Sequence, residues 1–138
     1  LMRLYNIYGR VVHKNVSSKI IDWDGKSRSK LQFKVKQFFK EHWYEHICYE
    51  EFPVYGTKMS VDILNATKRI AIEVNGPQHE EYNKFFHKNK VNYFNSIKRD
   101  FKKREWLESN DFLLMEINVS EANKLSKSFI KNKFDVSL

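Results

Sequence analysis

A chain of 138 residues carrying a net charge of +8 is long enough for one sheet-and-helix core but not for two. Its 41% apolar and 15% aromatic content excludes a disordered chain, and it has no run of about 18 apolar residues that could span a membrane. The single cysteine, Cys48, excludes an intramolecular disulfide and a multi-cysteine zinc site. With a start that reads Leu-Met-Arg rather than as an apolar signal segment, this leads us to expect a cytoplasmic, intracellular protein.

Residues 4–12 favour extended structure, a single strand, and Asp24-Gly25-Lys26-Ser27 reads as a turn. Ser29-Lys30-Leu31-Gln32 is a capping-box pattern opening a helix, with Leu31, Val35, Phe38, Phe39 and Trp43 at helical spacing and Lys30, Lys34 and Lys40 towards solvent. Strands are predicted over 46–52, 59–64 and 70–75. In the second, Met59, Val61 and Ile63 share one face while Ser60, Asp62 and Leu64 share the other. Residues 65–69 are short enough for a hairpin turn. After Gly76-Pro77 a helix is predicted over about 92–109. Phe112-Leu113-Leu114-Met115 then reads as a strand buried on both faces, and 120–131 as a closing helix. These elements make an α/β domain over 29–138, a mixed central sheet flanked by helices in the order α-β-β-β-α-β-α, preceded by an extension over 1–28.

The charge is segregated. Residues 1–40 hold ten Lys/Arg against two acids and residues 84–104 eight against one, whereas residues 41–81 hold eight acids against three bases. An acidic centre between basic flanks suits a protein that grips a polyanion, although a soluble basic surface has the same composition.

The hairpin predicts where two of those acids meet. If Asn65 pairs with Ile70, Asp62 falls opposite Glu73, with Cβ atoms about 4.5–5.5 Å apart. Such a pair is either a solvated face or two hard oxygen ligands for a divalent cation. The apolar run Ile70-Ala71-Ile72-Glu73-Val74 favours the second, because an acid in a buried strand needs a partner. Mg²⁺, with Mn²⁺ as a substitute, would suit phosphodiester hydrolysis. His42 and His46 are too poorly placed for a zinc pair, and Cys48 reads as an apolar filler.

Val61-Asp62-Ile63 followed by Glu73-Val74-Asn75 resembles the PD-(D/E)XK nuclease motif, over a core spanning residues 29–117. Ile72 to His79 is similar to a segment of small phage homing endonucleases and very-short-patch-repair-like nucleases. So is Arg99-Asp100-Phe101-Lys102-Lys103 with Leu113 to Ile117. The resemblance implies a restriction-endonuclease-like fold and a site-specific endonuclease cutting double-stranded DNA. It also implies metal ligands at Asp62, Glu73 and the Val74 carbonyl. Asn75 stands where the motif usually has lysine, and an amide cannot supply that charge. His79 either gives acid/base capacity or caps the loop, and Gln78 with Tyr82 fits a supporting pattern of RecB-like nucleases. Gln32 either completes the capping box or stands where the family's first helix turns a glutamate to the metal. Lys103 either reaches the site or a phosphate, or pairs with Asp100. Phosphate contacts are expected from Lys30, Lys34, Lys84, Lys88, Lys90, Lys98, Arg99 and Lys102. A chain this small would read a long target as a dimer or tetramer. A nuclease fold that binds without cutting, or a repair-type nickase, is the alternative.

Overall fold

The computed structural model describes residues 2–75 and 90–138. The chain opens with a two-stranded antiparallel hairpin, β1 (Met2–Tyr5) and β2 (Val11–Lys14), rather than the single strand expected over 4–12. The reversal has two local causes. The Asn6 side chain accepts from the amides of Tyr8 and Arg10 at 2.9 and 3.0 Å, and Gly9 takes a left-handed φ of +80° that a side chain would resist. The 3₁₀ turn Ser17–Lys19 follows.

Helix α1 (Lys30–Trp43) begins where Ser29 Oγ accepts from the amide of Gln32 at 3.1 Å. Its buried stripe is Gln32, Val35, Lys36, Phe39 and Trp43, so the helix is rotated from the expected stripe: Leu31 and Phe38 are only half-buried. The polar pair Gln32 and Lys36 turns inward because acids on the neighbouring strand receive it, as described below.

Strands β3 (Cys48–Pro53), β4 (Ser60–Asn65) and β5 (Ile70–Asn75) form an antiparallel meander. Helix α2 (Lys90–Ser109) leads to β6 (Leu113–Asn118), which lies parallel to β5. The sheet is mixed, in the order β3-β4-β5-β6, with helices on both faces. The element order over 29–138 begins as expected, but the whole chain differs through the two additional strands at its start. β6 is an edge strand of this sheet among the described residues; Met115 and Ile117 enter one core and half-buried Leu114 packs against the other, so both faces are covered, while Leu113 at its start is 45% exposed. The closing helix is also interrupted. A 3₁₀ turn over Val119–Lys124 ends at an extended Leu125, and Ser126 caps a new helix, α3 (Lys127–Phe134), by accepting from the amide of Phe129 at 3.0 Å.

Two apolar cores flank the sheet. One gathers Tyr49, Phe52, Val61, Leu64 and Ala71 with Trp106, Leu107 and Phe112. The other gathers Ile63, Ile70, Ile72, Met115 and Ile117 with Val35, Phe39 and Trp43 of α1 and Ile130 of α3. Residues of the N-terminal extension join both, Leu4 and Val16 in the first and Trp23 in the second. Each such side chain contributes about 1.5–3 kcal/mol on full burial, enough in sum to hold an unfavourable site in place.

Candidate active site

The β4–β5 ladder runs Asn65↔Ile70, Leu64↔Ala71, Ile63↔Ile72 and then stops. The next rung would be Asp62 against Glu73. There the side chains replace the backbone carbonyls: Asp62 N–H donates to Glu73 Oε2 at 3.1 Å, and Val74 N–H donates to Asp62 Oδ2 at 2.8 Å. Each carboxylate crosses to the other strand.

The β3–β4 pairing omits the same level. Its register passes from Glu50↔Ile63 to Phe52↔Val61, leaving Glu51 and Asp62 unbridged. Glu51 has φ +55°, a left-handed conformation that costs a side-chain-bearing residue about 1–2 kcal/mol. The reversal breaks the alternation of both strands. Tyr49 and Phe52 enter the same core, and so do Val61 and Leu64, while Ile63 enters the other. The expected grouping of Met59, Val61 and Ile63 on one face therefore fails, because Met59 and Val61 pack with Leu64. As a result both Glu50 and Glu51 turn to Gln32, whose Nε2 donates to Glu50 Oε2 at 2.9 Å and to Glu51 Oε1 at 3.0 Å.

Asp62 is 3% exposed. Burial pushes its carboxyl up to about 8, and the neighbouring Glu73 charge adds to that; the Val74 amide and the Arg28 guanidinium pull it down without restoring the ordinary value. Two cations approach the pair from opposite elements. Lys103 on α2 pairs with Glu73 Oε1, and Arg28, from the loop before α1, places Nη2 3.2 Å from Asp62 Oδ1 and Nε 3.9 Å from Glu51 Oε1. Beside them lies a groove of about 540 Å³ lined by Arg28, Lys58, Ser60, Arg99, Lys102 and Lys103, with Asp100 its one acid among the described residues. A hollow of about 590 Å³ between residues 5–9 and α2 is larger, but its single acid, Glu105, is exposed.

The structure thus brings Asp62, Glu73, Val74, Lys103, Arg99 and Lys102 to one place. Asn75 does not face the carboxylates through a bond: its amide donates to Asn118 Oδ1 at 3.2 Å. Gln32 makes half of the capping box, and its side chain reaches Glu50 and Glu51 rather than Asp62. Lys30 is exposed at the start of α1, Lys98 is exposed on α2, and Lys34 bonds Asn123 instead of lining the groove. Gln78, His79, Tyr82, Lys84 and Lys88 lie outside the described residues, as does the side chain of Lys90. Cys48 is buried, which pushes its thiol up to about 12, and His46 bonds the Asn65 amide at 3.0 Å. The residues missed in the sequence are Arg28, Lys36, Glu50, Glu51, Lys58 and Ser60. Only the doublet Glu50-Glu51 carried a signal, two acids beside apolar strand residues.

Among the described residues no group of three or more His, Cys, Asp or Glu side chains is placed to hold a metal ion. The donor set is two carboxylates, one of them buried with its charge incompletely offset, and this suits a hard cation that keeps several waters. Among the described residues, no helix is long and apolar enough to cross a membrane.

No family model and no solved structure matches the chain. It is similar to "Uncharacterized protein 033L" of Invertebrate iridescent virus 3, at 37% identity over 65 residues, covering 47% of this chain and 34% of that protein. The chain thus spans about a third of the relative's length.

Proposed function

We propose that this protein is a metal-dependent endonuclease that hydrolyses phosphodiester bonds of double-stranded DNA, with a PD-(D/E)XK-type core. The observation that carries the reading is the crossing of Asp62 and Glu73 at the open end of β4 and β5, beside a groove holding five cationic side chains. The helix, three-strand meander, helix and parallel strand over residues 30–118 are the element order that this core calls for, and the similarity to a virus protein bears on origin alone, where it suits a virus-encoded chain.

Asp62 and Glu73 would hold Mg²⁺ or Mn²⁺, with the Val74 carbonyl as a further oxygen. When bound, the ion supplies a polarised phosphoryl oxygen and a water acidic enough to attack at neutral pH. The chain's own residues do the rest. Arg99, Lys102 and Lys58 bind backbone phosphates along the groove. Lys103 fixes the Glu73 carboxylate and provides the positive charge that Asn75 lacks, offsetting negative charge that builds on the phosphate during cleavage. Recognition of a long symmetric site would use a dimer or tetramer, each copy reading half.

The test is supercoiled plasmid incubated with Mg²⁺ and either the wild type or Asp62→Ala or Glu73→Ala. Cutting that chelator stops and both substitutions abolish supports the enzyme. Asn75 in the motif lysine's place favours a second reading, a duplex-binding domain without activity. That reading predicts binding with no cutting by the wild type under any divalent metal.

A further inference from the structure

The loop that delivers Arg28 is fastened more tightly than a connecting loop needs to be. Ile20 bridges to Tyr49, and the amide of Ile21 donates to Cys48 O at 3.0 Å, tying the segment to the edge of β3. Trp23 is buried against α1, and its carbonyl accepts from Gln37. Lys36, fully buried, donates to the carbonyls of Asp22 and Gly25 at 2.9 and 2.8 Å and pairs with Glu50 at 3.0 Å. Lys40 pairs with Asp24 at 2.6 Å, and Ser27 Oγ donates to Glu50 Oε2 at 2.6 Å. A Cβ at Gly25 would lie 2.6 Å from Asp22 Oδ2, so the turn is closed on itself as well. Ser27 in front of Arg28 and Ser29 behind it, as the α1 cap, are both fixed.

What this strap holds in place is an arginine side chain 64% exposed, its guanidinium set with one edge on Asp62 and Glu51 and lining the cationic groove. The strap stabilises the fold by itself through Trp23 and Lys36, but an ion pair with one partner so exposed contributes little, so stability does not explain why a guanidinium stands at this point of it. A planar fork of five N–H donors, held rigidly at the junction of a buried carboxylate and a row of lysines, matches a phosphate. We propose that Arg28 clamps a backbone phosphate of the bound duplex next to the bond being cut, and that residues 20–28 exist in this form to position it. The clamp rests on the endonuclease reading for its setting. It makes the N-terminal segment part of the site rather than an appendage. One Nη2 hydrogen on Asp62 and the Nε edge towards Glu51 tie Arg28 to the carboxylates while its remaining Nη hydrogens engage the strand.

The experiment compares the full chain with Arg28→Met and Arg28→Lys. Binding of a fluorescent duplex is followed by anisotropy in EDTA over a range of salt, and single-turnover cleavage is followed in Mg²⁺. Arg28→Met is expected to make the dependence of log K on log salt shallower by about one, the signature of one lost phosphate contact. It should also slow cleavage by roughly 100-fold. Arg28→Lys should keep the slope, because the charge remains, and cut about tenfold more slowly, because the fork is gone. An unchanged salt slope in Arg28→Met overturns the clamp even if cleavage suffers. If the wild type binds duplex but never cuts, the endonuclease reading fails while the slope still decides the clamp; if it does not bind duplex at all, both fail.

Discussion

Neutralising the buried acid of the pair should make the metal-free protein more stable. In Asp62→Asn the amide oxygen can still accept the Val74 N–H and the backbone N–H of the residue still reaches Glu73, while the new NH₂ takes the Oδ1 position and gives up the bond from exposed Arg28; the buried charge goes. The sign follows from linkage. The Asp62 carboxyl is raised from its ordinary 3.8 to about 8, so between those values the folded state keeps a proton that the unfolded chain has lost. Stability of the wild type is therefore full below the unfolded value and falls as pH rises towards 8. Each tenfold gain in proton affinity on folding corresponds to about 1.4 kcal/mol, and reorganisation around the carboxylate and Arg28 returns part of it, which leaves about 3 kcal/mol at pH 8. For a domain of this size that is a rise in Tm of roughly 10 °C. Urea denaturation in EDTA from pH 4.5 to 8.5 measures it: the two proteins should converge at the acid end and separate as pH climbs. Mg²⁺ should stabilise the wild type at pH 8 and leave Asp62→Asn nearly unchanged. Parallel pH curves, or a less stable Asn variant at pH 8, would refute the account of the site as electrostatically unfavourable.

Lys103→Met should lower the single-turnover cleavage rate by about 100-fold with little change in duplex affinity, and Lys103→Arg should lose less, because Glu73 keeps a cationic partner. Equal losses in both variants would point to packing instead. Lys36→Met leaves Glu50 and the carbonyls of Asp22 and Gly25 without their buried donor, and urea denaturation should show a loss of about 3 kcal/mol. Adding Glu50→Leu should recover part of that loss, since the stranded charge goes while the two carbonyls stay without their donor and Ser27 and Gln32 lose an acceptor.

The hairpin register was readable because two short strands around a tight turn have few ways to pair, and Asn65↔Ile70 fixes the rungs that follow. That alone brought Asp62 to Glu73. The faces were not readable at the same level, since a glutamate in left-handed backbone has no sequence signature, and Glu51 moves two side chains off the alternation. Leu113-Leu114-Met115 resembles a central strand in composition and is covered on both faces, yet only the sheet order shows that it pairs with a single described neighbour. The break in the closing helix was signalled by Ser126, a good cap in the middle of an apparently continuous pattern. Arg28 was out of reach for a different reason: it meets Asp62 across 34 residues of chain, and no spacing rule spans that distance.

Two amides, those of Asp62 and Val74, are held by carboxylate oxygens where a continuous sheet would use peptide carbonyls. Any ligand that draws those oxygens to itself withdraws them from the backbone, so occupancy and the fraying of this end of the hairpin are the same event seen from two sides. Part of the affinity for a ligand is thereby spent on loosening the sheet. Hydrogen exchange at these two positions becomes an internal gauge of whether the site is filled.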